Sequence, residues 1–202
     1  MKRPASRGLT LVELIVAMAI VALLVLAAAP SFTAAITNQR IRGTAEAVLS
    51  GIQLARSEAV SRNARVRFQL TSTLDGSCVL STAGANWVVN LDPNAKANEV
   101  EGLCDRAPDD ANAPFILQTR PATGAGGMVV AATQASLVFN GLGRLAEVPA
   151  GNVVVDISNP AGGACAETGG EVTCLRIVVS PLGQARMCNP DPNLPAGDPR
   201  IC

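Results

Sequence analysis

The sequence predicts an α+β protein in which a long N-terminal helix packs on a β-rich C-terminal head. Three observations predict this class. An apolar run fills residues 14–29, helical periodicity continues to about residue 63, and apolar and polar residues alternate in short segments beyond that point. Residues 64–202 have the length of one ordinary domain. We therefore expect one long helix followed by a single head, residues 64–202.

The apolar run has the length of a membrane-spanning helix. Sixteen consecutive apolar residues occupy positions 14–29, and the run reaches back to Leu9 with only Thr10 and Glu13 interrupting it. About 20 such residues span a bilayer as a helix. Basic residues precede the run, which is typical of the cytoplasmic side. We therefore predict that residues 9–29 form the transmembrane half of the helix.

Glu13 stands near the start of this run, where a charge costs free energy unless it has a partner. A secretory signal peptide cleaved near Ala29 would explain the basic flank and the run, but Pro30 directly after that site disfavours cleavage. A plain membrane anchor explains the same features. It does not explain Gly8 just before the run with Glu13 five residues further on.

Residues 8–14, GLTLVEL, resemble the class III signal of type IV pilins and type II secretion pseudopilins. The resemblance implies that a prepilin peptidase cleaves between Gly8 and Leu9 and methylates the new amine, so that residues 1–8 form a leader peptide. It also implies that Glu13 pairs with the terminal amine of a neighbouring subunit during assembly. The physics agrees, because two charges in hydrocarbon are tolerated only as a pair.

Pro30 begins the second half of the predicted helix, residues 30–63. The resemblance implies a kink there, because proline removes a helix hydrogen bond and clashes with the preceding turn. Beyond it, apolar residues recur at helical spacing, which predicts an amphipathic helix covered on one side. These residues are Ile36, Ile41, Ala45, Val48, Leu49, Ile52, Ala55, Ala59 and Val60. Residues 52–62, IQLARSEAVSR, resemble the end of the first helix in the GspH/FimT branch of minor pilins and pseudopilins.

After residue 63 the alternation of apolar and polar residues predicts strands. In residues 65–70, three apolar side chains alternate with Arg65, Arg67 and Gln69, which predicts a strand with one buried face. The predicted strands are 66–70, 78–81, 87–91, 115–119, 128–132, 137–140, 153–158 and 174–180, separated by turn residues. Residues 137–144, LVFNGLGR, resemble an F-x-x-x-G-R segment of the GspH/FimT group.

Six cysteines, all beyond the apolar run, indicate disulfides. They lie on the side that should face an oxidising space, where an even number of cysteines is typical of disulfide pairs. The pairs that proximity in the sequence favours are Cys165 with Cys174, Cys188 with Cys202, and Cys78 with Cys104. Metal binding is the alternative, but the chain has no histidine and no Cys-x-x-Cys pair. We therefore expect no metal site.

The composition also argues against an enzyme. The chain has no histidine, which is the usual general base. Neither a Gly-x-Ser-x-Gly elbow nor a phosphate-binding glycine-rich fingerprint occurs. Several carboxylates lie among turn residues, where solvation or capping is the common explanation. They are Asp75, Asp92, Glu99, Glu101, Asp109 and Asp110. We expect no catalytic residues and no cofactor.

DNA capture is the alternative binding function, because some FimT-like relatives bind DNA through a C-terminal Gly-Arg-x-Arg motif. The equivalent stretch here, residues 183–186, reads Gly-Gln-Ala-Arg, so one of the two arginines is replaced. The head carries nine lysines and arginines against thirteen acids, and an acidic head repels phosphate. A local patch of Arg144, Arg176 and Arg186 would be the DNA contact under this alternative.

The resemblance thus implies a minor pilin or pseudopilin of the GspH/FimT group. It implies a single-pass protein of the inner membrane with a periplasmic head, whose partners are other pilins, the prepilin peptidase and an inner-membrane assembly platform. The subunit would enter a filament at or near its tip, in a type IV pilus or a type II secretion system. DNA capture for natural transformation and a plain membrane-anchored periplasmic binding module are the alternatives.

Overall fold

A computed structural model of the chain describes residues 10–95, 100–122, 127–147, 149 and 151–202, and within them the side chains of 25–32 are not described. One helix, α1, runs from Leu11 to Arg62. Its 52 residues are about 78 Å long at the usual rise per residue. The predicted processing residues, Gly8 and Leu9, lie outside the described residues. Helical structure continues through position 30, and the kink at Pro30 stays a prediction.

Both ends of α1 are capped as its sequence allows. Thr10 is the N-cap, and its Oγ1 accepts a hydrogen bond from the backbone N–H of Glu13 at 3.3 Å. Asn63 closes the helix in the left-handed conformation, with φ 47° and ψ 43°, and its N–H points to the carbonyls of Ala59 and Val60. Asparagine tolerates this conformation better than most residues. The end of the helix at Arg62 is therefore a local property of the sequence.

Within the described residues, eight strands follow α1. They are β1 (Val66–Thr71), β2 (Asn86–Leu91), β3 (Ile116–Arg120), β4 (Val129–Ala132), β5 (Ser136–Phe139), β6 (Val153–Ser158), β7 (Leu175–Val179) and β8 (Ala185–Cys188). Two short 3₁₀ helices, Pro160–Gly162 and Ala166–Thr168, lie between β6 and β7. Sheet A has the order β3-β2-β1-β5 and sheet B the order β4-β6-β7-β8. Every pairing between these strands is antiparallel.

The second half of α1 packs on both sheets. Its fully buried side chains are Ile41, Ala45, Val48, Ile52, Ala55 and Ala59, spaced alternately four and three residues apart, which keeps them on one face of the helix. They share one core cluster with apolar residues of β1, β2, β5, β6 and β7. Gly51 lies against the rings of Phe68 and Trp87, so the helix and sheet A come close there. The fold is therefore α+β, as predicted.

The amphipathic face is narrower than predicted. Val60 is 52% exposed and Ile36 is 39% exposed, whereas the predicted stripe included both. Successive helix residues turn by about 100°, which places Val60 roughly 100° away from its neighbour Ala59 in the buried stripe. The prediction was wrong for these two residues, because periodicity alone does not fix the width of the covered face.

Strand β1 was predicted to have one buried face, yet all six of its residues are buried. Arg67 and Gln69 are 1% and 0% exposed. Gln69 pairs with Val88 of β2, and Val88 belongs to a second cluster on that side, formed with Cys78, Val100, Cys104 and Ile116. Loops thus cover the face of sheet A that α1 does not cover.

Two strand predictions differ from the structure. The segment 78–81 forms no strand, and Leu80 makes an isolated bridge to Thr71 instead. Strand β8 was not predicted, because Ala185–Cys188 has a weak alternation and follows a turn. β8 nevertheless pairs with β7 in regular register, from Arg176 opposite Cys188 to Val179 opposite Ala185. Tertiary pairing decides short segments of this kind.

Candidate assembly surface

The first part of α1, residues 11–24, presents apolar side chains that the head does not cover. Its large apolar residues are between 52% and 74% exposed, and they are Leu11, Val12, Leu14, Ile15, Val16, Met18, Ile20, Val21, Leu23 and Leu24. A continuous apolar surface of this size marks a contact with a partner or with lipid. Among the residues that the structure describes, no helix has the length and apolarity required of a membrane span.

Glu13 lies in the first turn of α1 and its side chain is exposed. The positive end of the helix dipole favours a carboxylate at this position. Val16 and Ala17, three and four residues further on, are apolar, so the carboxylate stands at the start of the apolar surface of residues 11–24. Such a carboxylate can receive a cation supplied by another chain. Its predicted partner, the amine of Leu9 in a neighbouring subunit, lies outside the described residues, and this pairing stays a prediction.

The second half of α1 is joined to the head by hydrogen bonds between distant parts of the chain. Asn38 accepts a bond from the N–H of Thr173 through Oδ1 at 2.8 Å. Arg56 donates through Nε to the carbonyl of Gly143 at 3.0 Å. At the end of α1, Arg62 is 2.7 Å from Asp110, and this bond is the main cause that raises the pKa of Arg62. These bonds therefore hold the head against the second half of α1, from Asn38 to Arg62.

Three disulfides hold the loops of the head. The structure joins Cys78 to Cys104, Cys165 to Cys174 and Cys188 to Cys202. These are the pairs that proximity in the sequence favours. The first is buried beneath the loops over sheet A, the second closes the segment between β6 and β7, and the third ties the C-terminal segment to the end of β8.

The three arginines considered for DNA contact have different environments. Arg176 bonds to both carboxylate oxygens of Asp156, at 2.6 and 3.3 Å, which raises the pKa of its guanidinium. Arg186 donates to the carbonyl oxygens of Ile201 and Cys202, at 3.2 and 2.7 Å. Arg144 is exposed. Arg176 is thus neutralised by Asp156, and the N–H groups of Arg186 are engaged within the head, which leaves fewer donors for phosphate.

A buried ion pair was missed by the sequence reasoning. Asp92 was expected to be a solvated turn residue, but its side chain is 0% exposed and it accepts from both Arg65 and Arg67. The distance from Arg65 Nε to Asp92 Oδ2 is 2.9 Å. An arginine directly before β1 and another within it, followed by an acid directly after β2, are the signal that could have indicated it. The carboxylate of Asp92 thus supplies the counter-charge for the buried Arg67, and this role is structural.

The carboxylates of the turns are held by their own loops. Asp75 accepts from Ser77 and Thr73, and Asp109 accepts from Asn112 and from the N–H of Ala111, and these bonds lower the pKa of each carboxyl. Asp109 borders an open groove of about 610 Å³ beside Arg62. Within the described residues, no three His, Cys, Asp or Glu side chains are arranged to hold a metal ion.

The fold and this surface define an α+β protein whose long helix begins with an exposed apolar segment and continues against an antiparallel β head. Residues 44–183 match the family model described as type II transport protein GspH, and residues 3–29 match the prokaryotic N-terminal methylation motif. The chain belongs to the GspH family. Comparison with curated proteins yields no match.

Two solved structures are similar to the chain, both crystal forms of the type IV minor pilin FimU from Pseudomonas aeruginosa strain PAO1. The first is 18% identical with a TM-score of 0.49, and the match covers 74% of this chain and 88% of that one. The second is 17% identical with a TM-score of 0.44, and covers 72% and 90%.

Family membership defines the general class of function. Proteins of this family are structural and not enzymes. The family and the methylation motif imply a subunit that is first anchored in a membrane and then assembles with other pilins into a filament. The filament belongs to a type IV pilus or a type II secretion system.

Proposed function

We propose that this chain is a minor pilin or pseudopilin that a prepilin peptidase cleaves between Gly8 and Leu9. Residues 9–29 anchor the precursor in the inner membrane, with the head in the periplasm. An inner-membrane assembly platform then moves the processed subunit into a filament, at or near its tip. The observation that carries this proposal is the change along α1, whose residues 11–24 are exposed and apolar while its second half is buried against the head.

This change along one helix matches the two environments of a filament subunit. A helix that is apolar on all sides needs lipid or other apolar helices around it. Residues 11–24 have this character, and lipid before assembly and neighbouring helices after assembly would both cover them. The second half presents a polar side to its surroundings and a buried stripe to its own head. The head therefore stays folded in both states, and assembly exchanges lipid for helix contacts.

Glu13 gives the assembly a directional contact. A carboxylate surrounded by hydrocarbon requires a cation, and the amine created by cleavage before Leu9 supplies one. Cleavage at Gly8 is therefore a precondition for the pair, because an uncleaved leader has no amine at Leu9. The proposal thus couples processing to incorporation.

The test compares three variants of the full chain in its host. Replacing Gly8 with leucine should leave the precursor uncleaved, as measured by the intact mass of the membrane-extracted protein. Glu13→Ala should be cleaved normally but be incorporated into purified filaments roughly tenfold less, because an unpaired amine remains in hydrocarbon. Glu46→Ala is the matched control, since Glu46 is an exposed glutamate of the same helix that pairs with Arg42 within α1. If Glu13→Ala and Glu46→Ala enter filaments equally, the assembly role of Glu13 is wrong.

The phenotype of a deletion strain distinguishes a type II secretion system from a type IV pilus. Loss of a type II pseudopilin should stop the export of folded extracellular enzymes and leave surface pili in place. Loss of a type IV minor pilin should reduce surface pili and twitching and leave enzyme export intact. Complementation with the full chain restores whichever activity was lost, and a strain with neither defect would contradict the proposal.

A further inference from the structure

Two turns of the head have the same design and lie side by side. We call residues 140–144 and 180–184 the leucine–glycine turns, because each places an exposed leucine, Leu142 or Leu182, directly before a glycine. Gly143 and Gly183 have φ of 71° and 81°, a region that favours glycine. Each glycine N–H closes its turn at 2.8 Å, onto the carbonyls of Asn140 and Ser180. The turns therefore fix the backbone at both leucines.

The two turns contact each other and the end of α1. The N–H of Leu145 donates to the carbonyl of Pro181 at 3.3 Å, and Gly183 lies against Gly143 so closely that no side chain fits between them. Arg56 donates to the carbonyl of Gly143, and Val60 lies beside the same glycine. Leu142, Leu182 and Val60 are 76%, 58% and 52% exposed. We call these three side chains and their surroundings the twin-turn surface.

The surroundings of the twin-turn surface are basic. Arg56 and Arg186 line one groove of about 470 Å³ next to the turns, and none of the described residues that line it is Asp or Glu. Arg144 is exposed within the first turn. A surface with an apolar centre and an arginine rim complements a protein surface with an apolar side chain flanked by carboxylates.

The position of this surface separates it from the apolar start of the helix. Val60 lies in the last turn of α1, about 70 Å along the helix from Leu11 at the usual rise per residue. A single contact with a partner therefore cannot cover both residues 11–24 of α1 and the two leucines, Leu142 and Leu182. The twin-turn surface faces the end of the subunit that lies away from the apolar half.

We propose that the twin-turn surface docks a neighbouring pilin subunit through an apolar side chain flanked by aspartate or glutamate. The inference rests on the proposed filament function and names a second contact within it. DNA is the competing occupant, but the observations favour a protein. Leu142 and Leu182 form the apolar centre of the surface, and their side chains offer no hydrogen bond and no charge to a phosphate group. The head carries more acids than bases, and this net charge repels a polyanion such as DNA more strongly than it repels the few carboxylates that flank one apolar side chain of a protein.

The test places a photo-crosslinking amino acid, p-benzoylphenylalanine, at position 142 of the full chain in its host. The expected result is one main adduct with a different pilin subunit, joined through a peptide that contains Asp or Glu. Position 79 is the matched control, because Val79 is 51% exposed on a loop over sheet A, and it should give less of this adduct by roughly tenfold. An adduct with DNA, with a second copy of this chain or with a protein lacking a pilin signal would overturn the proposal, as would equal yields at 142 and 79.

A third position distinguishes this proposal from the filament function on which it rests. The crosslinker at position 16, where Val16 is exposed in the apolar half, should give adducts with pilin helices in any assembled filament. Adducts at 16 without adducts at 142 refute the twin-turn surface alone. The absence of pilin adducts at both positions refutes the filament function.

Charge and apolar contact are tested separately with the crosslinker kept at position 142. Leu182→Asp and Arg144→Glu should each lower the adduct yield roughly tenfold, the effect of losing a central contact residue, whereas Val79→Asp should not change it. Replacing the acidic residue of the crosslinked partner with arginine should restore the adduct yield of Arg144→Glu but not that of Leu182→Asp. An undiminished yield in both variants contradicts the proposed chemistry, and the fluorescence of Trp87 confirms that each variant is folded.

Discussion

Two glycines of α1 offer a direct test of how closely the helix approaches the head. Gly51 is buried, and a Cβ built there would lie 2.8 Å from ring atoms of both Phe68 and Trp87. These rings are 1% and 2% exposed, so they have little room to move. At Gly43, on the exposed side of the same helix, a Cβ would meet nothing within 4 Å. Alanine should therefore be tolerated better at Gly43 than at Gly51.

The magnitudes follow from two terms. Replacing a mid-helix glycine with alanine gains about 1 kcal/mol of helix propensity, and this gain is common to both sites. Forcing a methyl group into a packed core costs about 1–3 kcal/mol, and this cost applies at Gly51 alone. Gly43→Ala should therefore stabilise the protein by up to about 1 kcal/mol. The free energy of unfolding of Gly51→Ala should lie about 1–3 kcal/mol below that of Gly43→Ala.

The protein carries its own probe for this measurement. Its single tryptophan, Trp87, is buried beside Phe68 with the ring centroids 5.9 Å apart. Denaturant unfolding of the full chain in detergent, with disulfides intact, can be followed by tryptophan fluorescence. Equal midpoints for Gly43→Ala and Gly51→Ala would refute the close packing of α1 on sheet A, because the steric term would then be absent.

Three further predictions concern the head. Asp92→Asn leaves the buried Arg67 without its counter-charge, so the free energy of unfolding should fall by about 3–5 kcal/mol, measured in denaturant by fluorescence. Cys202→Ser removes the third disulfide, which joins two cysteines 14 residues apart. This variant should be less stable by about 3 kcal/mol and should be cleaved faster by protease after residue 188. The hydrogen bonds from Arg200 lower the pKa of Asp198 from 3.8 to about 2. Because the folded pKa is the lower one, the contribution of Asp198 is complete above about pH 4 and is lost as the pH falls towards 2, and a carboxyl NMR titration should show this midpoint.

Each of these predictions has a matched comparison. Arg42→Ala removes an exposed ion pair with Glu46 and should leave stability nearly unchanged, so a loss equal to that of Asp92→Asn would contradict the burial argument. Unchanged protease resistance of Cys202→Ser would show that the disulfide does not hold the C-terminal segment. In Arg200→Gln the pKa of Asp198 should return towards 3.8, and a titration that stays near 2 would identify another cause.

Part of the assembly surface could be predicted from the sequence, because its elements are continuous in the chain. Residues 11–24 are apolar except for Glu13, and this alone indicates a helix that needs apolar surroundings. The motif around Gly8 and Glu13 is likewise local. The twin-turn surface was beyond prediction, since Val60, Leu142 and Leu182 lie in three elements that only tertiary packing brings together. Val60 was even assigned to the buried stripe, because periodicity does not show where a covered face ends.

The amino-acid sequence was sufficient to predict the long helix, its division into two halves and most of the strands. Each of these depends on residues a few positions apart, whose spacing sets local conformation directly. The tertiary structure alone decided that both faces of β1 are buried, that Asp92 forms a buried ion pair, and that β8 completes sheet B. These features depend on which distant part of the chain covers a surface. The alternation of residues along one strand distinguishes its two faces, but it does not show what packs against either face.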